Sequence, residues 1–141
     1  MYLTRNLLVI LLAFSFFLPL TSAEENTYRV EGLPDDLHFA TGKVYTVTLT
    51  ASNYSAIANV NISVTNGSLS ETETFEDNIL SLNLIASEEG WTFYWQAPSE
   101  AFDLGEGNAL LSIIFEESDG STWSSYESVL RPPKVIAHAE P

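Results

Sequence analysis

Residues 91–98 read WTFYWQAP, with Trp91, Phe93 and Trp95 at alternate positions and a proline directly after them. A two-residue period is typical of a β-strand that buries one face, and Pro98 ends the pairing. Aromatic residues at this spacing form a core face more often than a sugar-binding platform, so the stripe is predicted to be core. Tyr94 points to the opposite face and is a candidate ligand contact.

The same two-residue period recurs along the chain, and turn sequences such as Asn66-Gly67 and Asp119-Gly120 separate the segments. Seven or eight short strands without an amphipathic helix predict an all-β, antiparallel β-sandwich. The predicted strands are Thr27–Leu33, Lys43–Ser52, Asn59–Thr65, a polar edge strand Leu69–Phe75, Ile79–Ala86, Trp91–Ala97, Ala109–Glu116 and a short strand around Trp123.

The first 23 residues have the pattern of a cleaved secretory signal peptide. Arg5 precedes an apolar run of 14 residues from Leu7 to Leu20, and small residues then end at Ala23. The run is shorter than the roughly 20 residues that span a bilayer, and no second one follows. The sequence therefore predicts a secreted or cell-surface protein with a sandwich domain over residues 24–131, a loose tail over 132–141 and no membrane span after cleavage.

The composition excludes several classes of function. The chain has 5 basic and 19 acidic residues, and removing Arg5 with the leader takes its formal charge from −14 to −15. Such a charge repels the phosphates of nucleic acids and anionic lipid surfaces. The absence of cysteine excludes disulfides, thiolate catalysis and cysteine-based metal centres.

Six segments form an ordered set of motifs: Val30–Pro34, Gly42–Leu49, Trp91–Pro98, the acidic loop Asp103–Asn108, the strand Ala109–Phe115 and Asp119-Gly120. This set resembles the reelin-domain (reeler) superfamily, and most closely its microbial extracellular choice-of-anchor modules. The resemblance covers residues 28–126, although animal reelin domains carry cysteines that this chain lacks. It implies an immunoglobulin-like sandwich with an extracellular, non-catalytic role, and it brings no catalytic residues.

Acidic residues in predicted loops are candidate calcium ligands, because Ca²⁺ binds six to eight oxygen atoms from carboxylates and carbonyls. Asp35, Asp36, Asp103 and Glu106 are the best placed. No Asp-x-Asp-x-Asp-Gly loop is present, so a solvated acidic surface without a cofactor is the favoured interpretation.

Other chemistries have weaker support in the sequence. His38 and His138 are far apart in the chain and are interpreted as unrelated surface residues rather than a metal pair. No serine lies in a Gly-x-Ser-x-Gly elbow, which leaves a small hydrolase as a weak alternative. Three Asn-x-Ser sequons, at Asn53, Asn61 and Asn66, are possible glycosylation sites in a host that modifies exported proteins.

The sequence thus predicts a non-catalytic extracellular module that binds or adheres to a protein or glycan ligand. Tyr94 and Tyr54, which lies in a predicted loop, are its candidate ligand contacts. The alternative is a structural subunit of an extracellular assembly, such as a surface layer or a pilus-like fibre, built by pairing of unpaired sheet edges.

Overall fold

The computed structural model describes residues 26–99 and 107–133. Within these two ranges the chain forms eight β-strands and one short 3-10 helix at Tyr54–Ala56. This composition confirms the predicted all-β fold. The strands are β1 (Tyr28–Glu31), β2 (Val44–Ala51), β3 (Asn59–Val64), β4 (Ser68–Ser70), β5 (Ser81–Ile85), β6 (Trp91–Gln96), β7 (Ala109–Glu116) and β8 (Thr122–Leu130).

The strands form two antiparallel sheets of four, with the orders β1-β2-β6-β4 and β5-β3-β7-β8. Consecutive strands pair directly at β1–β2 and at β7–β8. Every connection from β2 to β7 instead crosses from one sheet to the other. The two buried faces meet in a β-sandwich whose core is made of residues distant in sequence.

Alternate residues of the long strands fill the space between the sheets. In β2, Val47 and Leu49 are fully buried, while Thr46, Thr48 and Thr50 at the alternate positions face outward. In β7, Leu111, Ile113 and Phe115 are fully buried in the same way. Burying one such side chain contributes about 1.5–3 kcal/mol, which makes this alternation the main stabilisation of a chain without cysteine.

The predicted aromatic stripe of β6 is part of the core. Trp91 is 4% exposed, and Phe93 and Trp95 are 0% exposed. Each buried indole finds the partner that such a group needs: Trp91 Nε1 donates to the Ile85 carbonyl at 2.8 Å, and Trp95 Nε1 donates to the Asn66 carbonyl at 3.0 Å. The stripe is therefore core and not a sugar-binding platform.

The Asn66-Gly67 turn closes against Trp95 and requires a glycine. Gly67 has a φ of +83°, which residues with a Cβ rarely adopt. A Cβ at this position would overlap the Gln96 carbonyl oxygen and lie 2.6 Å from Trp95 Nε1. The turn predicted from sequence thus also packs against the core.

Two strand predictions between residues 69 and 86 were wrong in extent. Only Ser68–Ser70 pairs as the edge strand β4, because the Ser70 and Thr72 hydroxyls accept hydrogen bonds from the backbone N–H groups two residues later, those of Thr72 and Thr74. These local bonds replace a strand ladder beyond residue 70. The following strand, β5, begins at Ser81 instead of Ile79, and Leu80 before it is 43% exposed.

The last strand, predicted to be short, is the longest among the described residues. Strand β8 spans nine residues, Thr122–Leu130, and pairs with β7 through a bulge near Glu116. Beyond β8, Arg131 forms an isolated parallel bridge with His38: its N–H donates to the Leu37 carbonyl at 2.8 Å and its carbonyl accepts from Phe39 N–H at 2.9 Å. Residues 134–141 of the predicted tail lie outside the described ranges.

Hydrogen bonds join the edges of the two sheets on both sides of the sandwich. On the β1–β8 side, Tyr28 Oη donates to the Ser125 carbonyl at 2.9 Å and Asn26 Nδ2 donates to the Trp123 carbonyl at 2.8 Å. On the β4–β5 side, Leu69 N–H donates to the Ile79 carbonyl at 2.7 Å. These bonds occupy edge groups that another chain would otherwise pair with.

Candidate functional site

The outward side of β2, β6 and β4 is a hydroxyl-rich surface, here called the hydroxyl face. Its members are neutral, although the chain has a formal charge of −14. The face arises because each strand alternates apolar inward residues with hydroxyl or amide residues outward. It comprises Val44, Thr46, Thr48, Thr50, Thr92, Tyr94, Gln96, Ser68 and Ser70.

Tyr94 lies at the middle of the hydroxyl face. Its register partners are Thr46 on β2 and Ser70 on β4, so hydroxyl side chains flank the ring on both sides. The ring is half-buried, and its strand position faces away from the core. This arrangement agrees with the sequence prediction that Tyr94 points away from the aromatic stripe. Its role as a ligand contact stays a prediction.

A polar depression of about 400 Å³ adjoins the hydroxyl face and is here called the amide groove. Gln96 and Ser68 belong to both surfaces and are register partners. The described residues that line the groove include no charged side chain. They are Asn66, Gly67, Ser68, Asn78, Gln96, Ala97, Pro98 and Ser99.

The groove combines fixed and available polar groups. Asn66 is held in place, because its Nδ2 donates to the Gly107 carbonyl at 3.3 Å and its Oδ1 accepts from Gly67 N–H at 3.0 Å. Asn78 Oδ1 accepts from Ser68 Oγ at 2.7 Å, whereas the Asn78 amide nitrogen donates to none of the described residues. The Gln96 amide likewise makes no hydrogen bond with the described residues. Amides both donate and accept, so these two suit a ligand rich in hydroxyl groups.

The candidate calcium ligands stay a prediction. Asp35 and Asp36 occupy an exposed turn, where Asp36 Oδ1 accepts from His38 N–H at 3.0 Å. Asp103 and Glu106 lie outside the described residues. Over residues 26–99 and 107–133, no three His, Asp or Glu side chains gather closely enough to hold a metal ion.

The other residues singled out from the sequence have separate positions. The Tyr54 ring lies in the 3-10 helix, half-buried, with its centroid 5.6 Å from that of Trp91, so part of its surface packs on the core. His38 Nδ1 hydrogen-bonds to the Pro132 carbonyl at 2.8 Å, which ties the ring to the end of β8. His138 lies outside the described residues.

The three sequons differ in local geometry. Asn53 is exposed before the 3-10 helix, and its Oδ1 accepts from Ser55 Oγ of the same sequon at 2.8 Å. Asn61 is half-buried within strand β3, and Asn66 is held in the turn described above. Glycosylation at these positions stays a prediction.

The β7–β8 turn contains the one resolved electrostatic shift among the described groups. A side-chain hydrogen bond from Ser121 and a second from its backbone N–H hold the pKa of Asp119 below its ordinary value. Glu117 Oε2 accepts from the same Ser121 hydroxyl at 2.8 Å. The turn is exposed, and its hydrogen bonds serve to order the hairpin.

The sequence indicated Tyr94 as a candidate ligand contact but did not indicate Asn78 or Gln96, which share the neighbouring groove. The available signals were the Asn66-Gly67 turn and the Trp95–Pro98 strand end, each identified separately. Nothing in the sequence indicated that these two segments meet, because Asn66 and Gln96 belong to different parts of the chain and converge only in the sandwich.

No helix in the described part of the chain is long and apolar enough to cross a membrane. No protein-family profile matches this sequence, and no curated protein matches it. Among solved structures, the fold is similar to that of the human F-spondin reeler domain (fragment 1). The TM-score is 0.51 at 18% identity, over 77% of this chain and 89% of that one. The fold is therefore reeler-like, as the resemblance in the sequence implies, whereas the similarity to microbial choice-of-anchor modules stays a prediction.

Proposed function

We propose that this chain is a non-catalytic extracellular binding module, and that it recognises a neutral polyhydroxylated ligand of the glycan class. The ligand would lie along the hydroxyl face at Tyr94 and enter the amide groove. The observation that carries this proposal is a neutral surface of one aromatic ring, hydroxyls and amides on a strongly acidic chain, in which Gln96 makes no hydrogen bond with the described residues. The predicted leader and the reeler-like fold support the extracellular location.

The chemistry of a glycan fits this surface in two ways. A sugar ring has an apolar C–H face, which packs against an aromatic side chain that has one polar end. Its hydroxyls both donate and accept hydrogen bonds, as do the amides of Gln96 and Asn78. The groove volume of about 400 Å³ falls within the usual range of small-ligand sites.

An anionic ligand would be repelled by the charge of the whole chain, and the described groove offers no cation to bind it. A cationic ligand would favour the carboxylates elsewhere on the chain over this neutral surface. A neutral ligand is neither repelled by the acidic chain nor drawn to carboxylates elsewhere. The charge of the chain therefore favours a neutral ligand at this surface.

The test is a screen of neutral oligosaccharides, followed by affinity measurements on variants. Tyr94→Ala is expected to weaken binding about 2- to 12-fold, the worth of one aromatic contact. Gln96→Ala is expected to weaken binding by a similar factor, through loss of a hydrogen-bonding amide. Tyr94→Phe retains the ring and most of the affinity.

Asn83→Ala is the matched control, because Asn83 is an exposed amide on β5 in the opposite sheet. It is expected to leave the affinity unchanged. Equal losses in Asn83→Ala and Gln96→Ala, or binding only of charged saccharides, would contradict the proposal. Long oligomers that grow with protein concentration in sedimentation would favour the extracellular-assembly alternative instead.

A further inference from the structure

We propose that a second groove, between β4 and β5, is a docking site for a cationic, partly apolar segment of another protein. This groove has a volume of about 290 Å³ and is here called the acidic groove. Its apolar lining residues, here called the floor, are Leu69, Phe75, Ile79 and Leu82. Its acidic lining residues, here called the rim, are Glu71, Glu76 and Asp77.

The floor is an unfilled apolar surface. Leu69 is 1% exposed and belongs to the core beneath the groove. Ile79, whose carbonyl accepts from Leu69 N–H, is 39% exposed. Phe75 and Leu82 are half-buried. The segment after residue 70 leaves the sheet because its serine and threonine side chains bond locally, and this departure opens the groove.

The rim has no counter-charge nearby among the described residues. Arg29 belongs to β1, and Arg131 directly follows β8. Both strands are sheet edges on the opposite side of the sandwich from β4 and β5. Lys43 lies over the Tyr45 ring, with Nζ 5.0 Å from its centroid. The carboxylates around the groove are thus available to attract cations from outside.

The negative charge of the chain and of the acidic groove favours a cationic protein segment as its occupant. A second copy of this chain carries the same net charge of −14 and would be repelled, and so would an anionic lipid surface. A protein segment that places Lys or Arg on each side of an apolar residue satisfies both the rim and the floor. Such a segment would bind through its side chains, because the Leu69 N–H that a new strand would need already donates to Ile79.

The acidic groove is distinct from the amide groove, although the two are neighbours. Asp77 and Ile79 line the acidic groove, while Asn78 between them lines the amide groove. Their chemistry differs, since one is neutral and the other carries three carboxylates. The docking proposal therefore goes beyond the proposed glycan-binding function, and each can fail alone.

The test uses the folded secreted protein and three capped pentapeptides: Lys-Leu-Lys-Leu-Lys, Lys-Ser-Lys-Ser-Lys and Glu-Leu-Glu-Leu-Glu. Calorimetry is expected to show the tightest binding for the first, weaker binding for the second and none for the third. The triple variant Glu71→Gln, Glu76→Gln, Asp77→Asn is expected to weaken Lys-Leu-Lys-Leu-Lys binding about tenfold, the sum of three exposed ion pairs.

A matched triple variant, Glu88→Gln, Glu89→Gln, Glu127→Gln, removes the same charge from exposed positions elsewhere. It is expected to change the affinity by less than about threefold, since screening limits distant exposed charges. Equal losses in the two triple variants would overturn the proposal, because they would indicate attraction by net charge alone. Equal affinity for the Leu and Ser peptides would overturn it as well.

The apolar floor has its own control pair. Ile79→Ser is expected to weaken Lys-Leu-Lys-Leu-Lys binding several-fold, whereas Ile85→Ser, at a side chain 82% exposed on β5, is expected to leave it unchanged. Amide chemical shifts of the unmodified protein provide a test that needs no variant. Shifts centred on residues 69–82 support the proposal, and shifts centred on β7 and β8 overturn it.

Discussion

Replacing Trp95 by alanine removes a fully buried ring that packs on Phe39 and Tyr45 and bonds to the turn between β3 and β4. Trp95 is 0% exposed, and its ring lies 5.4 Å from Phe39 and 5.6 Å from Tyr45, measured between centroids. Truncating a buried tryptophan costs about 3–5 kcal/mol. The substitution also removes the donor to the Asn66 carbonyl, so we expect a loss at the upper end of that range.

The matched control is Tyr94→Ala, one residue earlier on the same strand and facing the other way. Tyr94 is half-buried on the hydroxyl face, so we expect its truncation to cost less than about 1.5 kcal/mol. Urea denaturation followed by circular dichroism measures the free energy of unfolding of both variants. Since a domain of this size has a total stability of about 5–15 kcal/mol, Trp95→Ala can abolish folding outright. Small and equal losses in the two variants would refute the assignment of Trp95 to the core.

The Asn66-Gly67 turn, the net charge and the Asp119 carboxylate each lead to a further prediction. Gly67→Ala should destabilise the domain by more than about 1 kcal/mol in denaturant unfolding, because its φ is positive and a Cβ would press on Trp95 and the Gln96 carbonyl. The melting temperature should rise from low to near-molar NaCl, because salt screens the repulsion within a chain of charge −14. Ser121→Ala should raise the pKa of Asp119 in an NMR titration, and the stability that this depressed pKa supplies at neutral pH should disappear as pH falls through it.

Strands with a strict two-residue period were predictable from the sequence. In β2 and β6, apolar residues alternate with threonine, tyrosine and glutamine, so both the strand and its buried face follow from the pattern. The aromatic stripe from Trp91 to Trp95 was assigned to the core for the same reason. The prediction held because each indole N–H reaches a backbone carbonyl.

Segments dominated by serine, threonine and glutamate were not predictable in the same way. The sequence predicts a polar edge strand over Leu69–Phe75, but the Ser70 and Thr72 hydroxyls bond to nearby backbone and β4 ends at Ser70. In β8, Tyr126 and Ser128 pair with core positions of β7, and the strand is set by that neighbour rather than by its own pattern.

The two grooves were beyond sequence reasoning because they depend on tertiary contacts. The amide groove needs Asn66, Asn78 and Gln96, which come from three separate segments. The acidic groove needs Leu69 and Leu82 to converge beneath the acidic rim. Composition indicated an acidic surface, but it gave no sign that the outward residues of β2, β6 and β4 would be neutral, with charge on this face of the sheet at Arg29 and Glu31 of β1.

Mapping of backbone amide shifts during titration with the tightest-binding neutral oligosaccharide tests the central claim most directly. The proposed function predicts that the largest shifts fall at Tyr94, Gln96 and residues 66–68, with β7 and β8 unaffected. It also predicts that addition of EDTA leaves the shifts unchanged, since no metal ion takes part in the proposed recognition. Shifts centred on the opposite sheet, or binding of no neutral saccharide at all, would contradict it.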